Sequence, residues 1–409
     1  MKQPFLLFTA LVFAITFYGC TPSTEVPQTN PDEKYFAPPA DLSEVVASEK
    51  QKFVIDTLIT ELDMPWAMDF LPNGKILITE RTGQMRLVVN GELKDTPIAG
   101  VPSVLYKRQG GLLDVELHPD YETNKWVYLS YSVLGEDSTT FTTLVRAKLE
   151  NDSVLVNHET LFDVGQENYT NKGQHFGGRI VFDKDNYMFL SVGDRGDRIR
   201  AQHLSTYNGK MYRFKDDGSI PEDNPFVNMD TVASKGIYSY GHRNPQGLVI
   251  NPATGELFEH EHGPKGGDEV NIIETGKNYG WPVISYGINY NGTIFTEDTV
   301  REGMEQPLHF WRPSIAPCGM DFVSSDKYPN WKGNLLVGSL KFRYVARCEM
   351  EGGKIVHEEK LLEPLGRMRS VEQGPDGFIY ALMEAPGQLV RIYPVSDSTA
   401  TEAPEMAEK

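Results

Sequence analysis

The sequence predicts an all-β fold, a six-bladed β-propeller of four-stranded antiparallel blades, and three observations carry that expectation. One pattern recurs six times: an apolar strand, a turn rich in Pro, Asp, Asn and Gly, then a second apolar strand. β-branched and aromatic residues fill the apolar runs, and no stretch keeps a helical period over several turns. The 37 Gly and 26 Pro in 409 residues suit short strands joined by many turns.

Taken in order, residues 1–19 read as an export signal: Lys2, an apolar run from Phe5 to Tyr18, and Gly19 before Cys20. The run is short for a membrane span. Ordinary secretion with Cys20 idle and a retained hydrophobic anchor stay open beside it. Residues 20–49, rich in Pro, Thr and Ser up to Ala40, read as a flexible tether. The propeller is expected over residues 50–395. FVIDTLIT from Phe53 lacks a hairpin partner and is expected to pair with the last blade and close the ring, which removes the free sheet edges. The hairpins are WAMDFLPNGKILITER from Trp66, GLLDVELHPDYETNKWVYLSYS from Gly111, GGRIVFDKDNYMFLSVGDRG from Gly177, QGLVINPATGELFEHEHGP from Gln246, CGMDFVSSDKYPNWKGNLLVGSL from Cys318 and RSVEQGPDGFIYALMEA from Arg369. Runs such as TTLVRAKLE from Thr142 and QLVRIYPV from Gln388 supply third and fourth strands. The polar tail 396–409 is read as disordered.

A net charge of −18 argues against nucleic acid as a partner. Cys318 and Cys348 fall on strands one and three of the same blade, so a disulfide between them is not expected. No haem-attachment CxxCH and no Rossmann glycine pattern is present.

Propeller ligands sit at one mouth of the central channel, so polar residues beside the inner strands are the candidates. They are Gln109, His175, Arg243, Asn244, Ser314, Arg367 and Arg369, with Lys341 after an outgoing strand. Several basic residues converging on one channel imply an anionic ligand or internal carboxylate partners, because an unpaired buried charge is costly.

The segments RQGGLLDVELHPDY (108–121), QHFGGRIVFDKDNYMFLSVGDRGD (174–197), YGHRNPQGL (240–248), HEHGPKGGDEVNIIETGKNYGWP (260–282), RPSIAPCGM (312–320), GSLK (338–341) and GRMRSVEQGPDGFIY (366–380) carry a resemblance. Through them the chain resembles the soluble PQQ-dependent sugar dehydrogenases of the glucose/sorbosone dehydrogenase family, nearest the aldose sugar dehydrogenase branch. The resemblance implies PQQ, a tricarboxylate quinone, and calcium as cofactors. It implies His175 as the base, Asp194 as its orienting carboxylate, and Arg243 with Asn244 beside the quinone. Lys341, Arg367 and Arg369 would take the cofactor carboxylates, which suits charge-assisted donors. Gln109 would hydrogen-bond cofactor or substrate; Tyr290, in the loop YGINYNG that is unlike the longer loop of the glucose branch, is a candidate to stack on sugar or cofactor as an aromatic over an apolar ring face. Main-chain oxygens of Gly263 and Pro264 would hold the catalytic calcium, and Glu269 and Tyr279 a structural one. One departure stands beside the base, where the glucose-oxidising branch carries an acidic residue and this chain has Gln174. The implied activity is oxidation of the C1 hydroxyl of an aldose sugar to a lactone, with electrons passed to an external acceptor. The layout of residues 1–20 resembles a bacterial lipoprotein signal and implies a periplasmic or outer-surface location, with membrane contact only through lipid on Cys20. A calcium-dependent propeller lactonase and a non-catalytic surface-tethered binding propeller are the alternatives.

Overall fold

The computed structural model describes residues 35–395, so the export signal of 1–19, Cys20 and the tail 396–409 lie outside the described residues. Six antiparallel sheets follow one another along the chain. Blades 1 to 5 have four strands each, and their first, inner strands are Pro65–Phe70, Leu112–Leu117, Gly177–Phe182, Pro245–Ile250 and Pro317–Phe322. Blade 6 begins with Arg367–Gln373, continues through Ile379–Ala385 and Gln388–Val395, and takes its fourth strand, Lys52–Ile59, from the start of the chain. That pairing runs from Lys52 opposite Val395 to Ile59 opposite Leu389 and closes the ring.

A strand with alternating apolar residues has one face per neighbouring blade, so burial needs a partner blade on both sides. The core accordingly divides into six apolar clusters, each drawn from two adjacent blades. Trp66 and Leu113 sit in the cluster between blades 1 and 2, and Phe162 and Leu190 in that between blades 2 and 3. Each fully buried side chain of this size contributes about 1.5–3 kcal/mol.

The expected tether ends sooner than residue 49. Tyr35 and Phe36 are buried against blades 6 and 1, and Val45–Ala47 adds a fifth strand outside Lys52–Ile59. An aromatic pair finds more apolar area in the groove between two blades than in water, which outweighs the Pro-rich composition around it. Cys318 and Cys348 are buried free thiols on strands one and three of blade 5. Among the described residues no helix is long and apolar enough to cross a membrane.

One irregularity repeats in every blade. The pairing of first and second strands shifts register near the start of the inner strand, as between Pro65 and Ala67, Leu112 and Val115, Gly177 and Ile180, Pro245 and Gly247, Cys318 and Met320, and Met368 and Ser370. A bulge bends a strand and re-aims its side chains, so six of them at one mouth turn six strand starts toward a common centre.

Candidate active site

At that mouth the starts of the inner strands meet the ends of the second strands around a cavity of about 370 Å³. Its charged lining is Arg81, Lys341, Arg367, Arg369 and Glu384, which leaves three net positive charges. Glu384 sits between three guanidinium groups, 2.7 Å from Arg369, 3.2 Å from Arg81 and 3.4 Å from Arg367. Burial alone would raise the Glu384 carboxyl, but Arg369 and then Arg81 pull it below its ordinary value. The Nε–H groups of Arg81 and Arg369 are buried in this wall without a hydrogen-bond partner, as is that of Arg243 nearby. Buried donors left unpaired are rare in folded chains.

Beside the cavity stands a His–Asp pair. His175 Nδ1 lies 2.7 Å from Asp194 Oδ1. The carboxylate can only accept, so Nδ1 carries the proton and Nε2 is the basic nitrogen. Burial, and then the charge of Arg243, lowers the His175 pKa, so the imidazole is neutral at pH 7. Asp194 is 1% exposed, and the hydrogen bond from His175 together with Arg243 outweighs burial and keeps it ionised.

His175 itself takes a left-handed backbone (φ 53°), a strained choice for a non-glycine residue. Three contacts hold it there. Its N–H donates to Gln109 Oε1 at 2.7 Å, its carbonyl accepts from Arg195 N at 3.3 Å, and the Arg195 guanidinium grips the carbonyls of Lys172 and Gln174. Arg195 is fully buried, lies 3.3 Å over the Phe176 ring, and is pushed down to about 9 by burial. Gly193 completes the arrangement, since a Cβ there would meet the His175 carbonyl oxygen at 2.2 Å.

Arg243 and Asn244 open blade 4. The Arg243 carbonyl accepts from Asp194 N at 2.8 Å, which ties it to the dyad, and its Nη1 donates to His262 O at 2.8 Å. Asn244 lines the cavity together with His262, whose Nε2 donates to Pro317 O at 2.8 Å. Burial holds His262 neutral, well below its ordinary pKa.

The turn proposed for the catalytic cation is tightly built. Gly263 N donates to Asp268 Oδ1 at 2.8 Å, and a Cβ on Gly263 would overlap the Gly267 carbonyl at 2.0 Å. The Pro264 carbonyl accepts from Ser314 Oγ at 3.1 Å and keeps a second lone pair.

Glu269 and Tyr279 line a small adjoining cavity of about 10 Å³ with Glu261. The Tyr279 hydroxyl donates to Ile272 O at 2.6 Å and accepts from Glu274 N at 2.8 Å, which makes its carbonyl the freer oxygen for a cation. Register places Glu261 opposite Glu269 and Glu259 opposite Asn271, all on one face of blade 4. Burial, and then the neighbouring Glu261, raises Glu259 and Glu269 well above the usual carboxylate range. Glu259 Oε1 and His242 Nδ1 are buried without hydrogen-bond partners, His242 Nδ1 lies 3.8 Å from Glu261 Oε1, and the three side chains fall within metal-ligand reach of one another. This donor set fits a divalent cation.

The structure therefore brings Gln109, His175, Asp194, Arg243, Asn244, Lys341, Arg367 and Arg369 to one mouth. Tyr290 is not among the cavity-lining residues and is 73% exposed. Arg81, Glu384, Glu259, Glu261 and His262 are absent from the sequence-derived candidates, which come mostly from the starts of inner strands. All five lie in or just after second strands, as do Asp194 and Lys341. Charged residues in or just after an apolar strand, in ITER, FEHEHG and ALMEA, were the usable signal.

Fold and site together define a propeller enzyme, with a proton-accepting dyad set against a cationic cavity. The chain belongs to the glucose/sorbosone dehydrogenase family, whose model matches residues 62–391, and it is a sugar dehydrogenase. It is 42% identical over 346 residues to an aldose sugar dehydrogenase, YliI, of Escherichia coli K12, covering 83% of this chain and 92% of that one. Quinoprotein glucose dehydrogenase B of Acinetobacter calcoaceticus is 32% identical over 311 residues, 70% of this chain and 61% of its own length. Among solved structures, the apo form of the soluble E. coli aldose sugar dehydrogenase superposes with a TM-score of 0.79 at 40% identity, over 84% of this chain and all of that one. The PQQ-bound aldose sugar dehydrogenase of Streptomyces coelicolor gives 0.69 at 25% identity, over 88% of this chain and all of that one.

Proposed function

We propose that the protein oxidises the C1 hydroxyl of aldose sugars to lactones with PQQ and calcium as cofactors, and passes the electrons to a separate acceptor. The observation that carries this reading is the pairing of neutral His175 and ionised Asp194 with a cavity of three net positive charges and unpartnered guanidinium N–H groups. A tricarboxylate is matched in charge and suits the guanidinium and ammonium donors of this wall. Arg81, Lys341, Arg367 and Arg369 would hold the PQQ carboxylates, with Glu384 spacing the guanidinium groups. Once bound, PQQ supplies a quinone that accepts hydride from the sugar C1. A calcium held by Gly263 and Pro264 would act as a Lewis acid there.

The protein's own contribution is to move a proton and fix charge. His175 Nε2 takes the C1 hydroxyl proton, and Asp194 stabilises the imidazolium that results. Arg243, beside the dyad, offers an unpaired Nε–H to developing negative charge. The carboxylate cluster of Glu259, Glu261 and Glu269, with the Tyr279 carbonyl, would hold the second calcium. A lactonase would gain nothing from Lys341, Arg367 and Arg369, and the single carboxylate of this cavity wall is held by three arginines. Export and lipid attachment at Cys20 rest on the sequence of residues 1–20.

The test is to add PQQ and calcium to the purified protein and follow dye reduction with several aldoses. Turnover that requires PQQ is the expected result. Absence of both PQQ binding and turnover with every sugar would overturn the reading.

A further inference from the structure

We propose that Trp281 is the positioning residue of the dyad: its indole N–H locks the Asp194 carboxylate in the orientation that keeps His175 Nε2 free of its proton. The inference rests on the reading of His175 as the base.

The two oxygens of Asp194 are held from different sides. Oδ1 accepts from His175 Nδ1 at 2.7 Å and from Gly196 N at 2.6 Å, while Oδ2 accepts from Trp281 Nε1 at 2.8 Å. The carboxylate torsion of aspartate is broad and nearly two-fold, so donors on one oxygen alone leave it free to swing. Asn208 donates to the Asp194 main-chain carbonyl and not to the carboxylate. Trp281 is itself immobilised. It is 7% exposed, its main-chain N–H donates to Gly241 O at 2.9 Å, and its main-chain carbonyl accepts from Gln202 Nε2 at 2.7 Å. Its ring packs edge-on to Phe295 at 5.4 Å and lies 5.2 Å from the Arg243 guanidinium. A rigid donor therefore reaches from the loop after blade 4's third strand to the carboxylate after blade 3's second strand. Loss of that donor would leave a buried carboxylate oxygen unpaired and release the rotation that fixes the imidazole tautomer.

The test uses the full chain without added cofactor. The proton between His175 and Asp194 gives a far-downfield NMR signal, assigned by its loss in His175→Ala. In Trp281→Phe, which keeps an aromatic ring and removes the donor, its exchange with solvent should quicken about tenfold or more. Phe295→Leu, which loosens packing on the same ring, should leave the signal unchanged. Should Trp281→Phe not fold, the indole signal of Trp281 decides: in Asp194→Leu it should shift and exchange faster. After PQQ and calcium are added, kcat of Trp281→Phe should fall about tenfold to a hundredfold, the usual range for a group orienting a functional residue, with KM nearly constant. An unchanged downfield signal in folded Trp281→Phe, or an unchanged indole signal in Asp194→Leu, would overturn the inference. A wild-type protein inactive with every sugar would defeat the functional reading while leaving these signals readable.

Discussion

The two mouths of the central channel are built from opposite charges that do different work. At one end, Arg81, Lys341, Arg367 and Arg369 crowd a cavity with Glu384 as sole carboxylate. At the other, Asp69, Asp114, Glu116, Asp321 and Glu372 line a cavity of about 400 Å³. Three of those acids are structural. Asp69 accepts from Leu117 N at 2.6 Å, Asp114 from Ile180 N at 2.8 Å and Asp321 from Gln373 N at 2.7 Å, each reaching the inner strand of the next blade. Arg179 divides the two ends. From blade 3 it bonds Asp114 of blade 2, the carbonyls of Gln246 and Arg369 in blades 4 and 6, and Cys318 of blade 5, and it lies 4.0 Å over Trp66 of blade 1. Net charge thus says little about either end. What separates them is whether the polar atoms are used up: the acidic aspartates stitch blades together, while the basic end keeps buried N–H donors to spare.

Substitutions at the two ends should separate accordingly. The largest effect is expected for His175→Ala, which should cut turnover by about a hundredfold to ten-thousandfold, the usual contribution of a general base, while PQQ stays bound. Steady-state rates set beside a PQQ titration check it. Arg369→Leu should come next, weakening PQQ by about tenfold to a hundredfold through loss of a charge-assisted donor, as measured by calorimetry.

A pH effect should arise from the acidic end. Burial raises Asp69 and Asp321 from 3.8 to about 6. Between those values the unfolded chain has lost the protons that the folded one still holds, so stability should fall as pH rises from about 4 to about 6 and level off above. Urea midpoints across that range test it, and Asp321→Asn should flatten the slope. Smallest of all is Glu116→Gln, where burial and then Asp69 already hold the carboxyl well above its usual range. Turnover should not change, and the urea midpoint should rise slightly; a large loss of activity would mean that the acidic end serves the chemistry.

Much of this was legible in the chain. Strand–turn–strand repeats are local, so the blades and the closing pairing of Lys52–Ile59 could be read from alternation and turn residues. Strand starts pointed to Gln109, His175, Arg243 and Arg369 for the same reason. Glu384 and Arg81 were not seen, because what makes them matter is their meeting across the ring from blades 6 and 1. Trp281 lay in a quoted motif, NYGWP, yet its partner Asp194 is 87 residues away. The burial of Tyr35 and Phe36 was hidden by their Pro-rich surroundings, since composition describes a segment and not the groove it meets.

The central claim is that the cationic mouth and the His175–Asp194 pair form one catalytic site. A single-turnover experiment tests it directly: protein loaded with PQQ and calcium is mixed with an aldose, without acceptor, and the quinone absorbance is followed. Rapid loss of that absorbance is expected in the wild type, and its persistence in His175→Ala with PQQ still bound. Equal loss in both proteins, or PQQ that never binds the wild type, would contradict it.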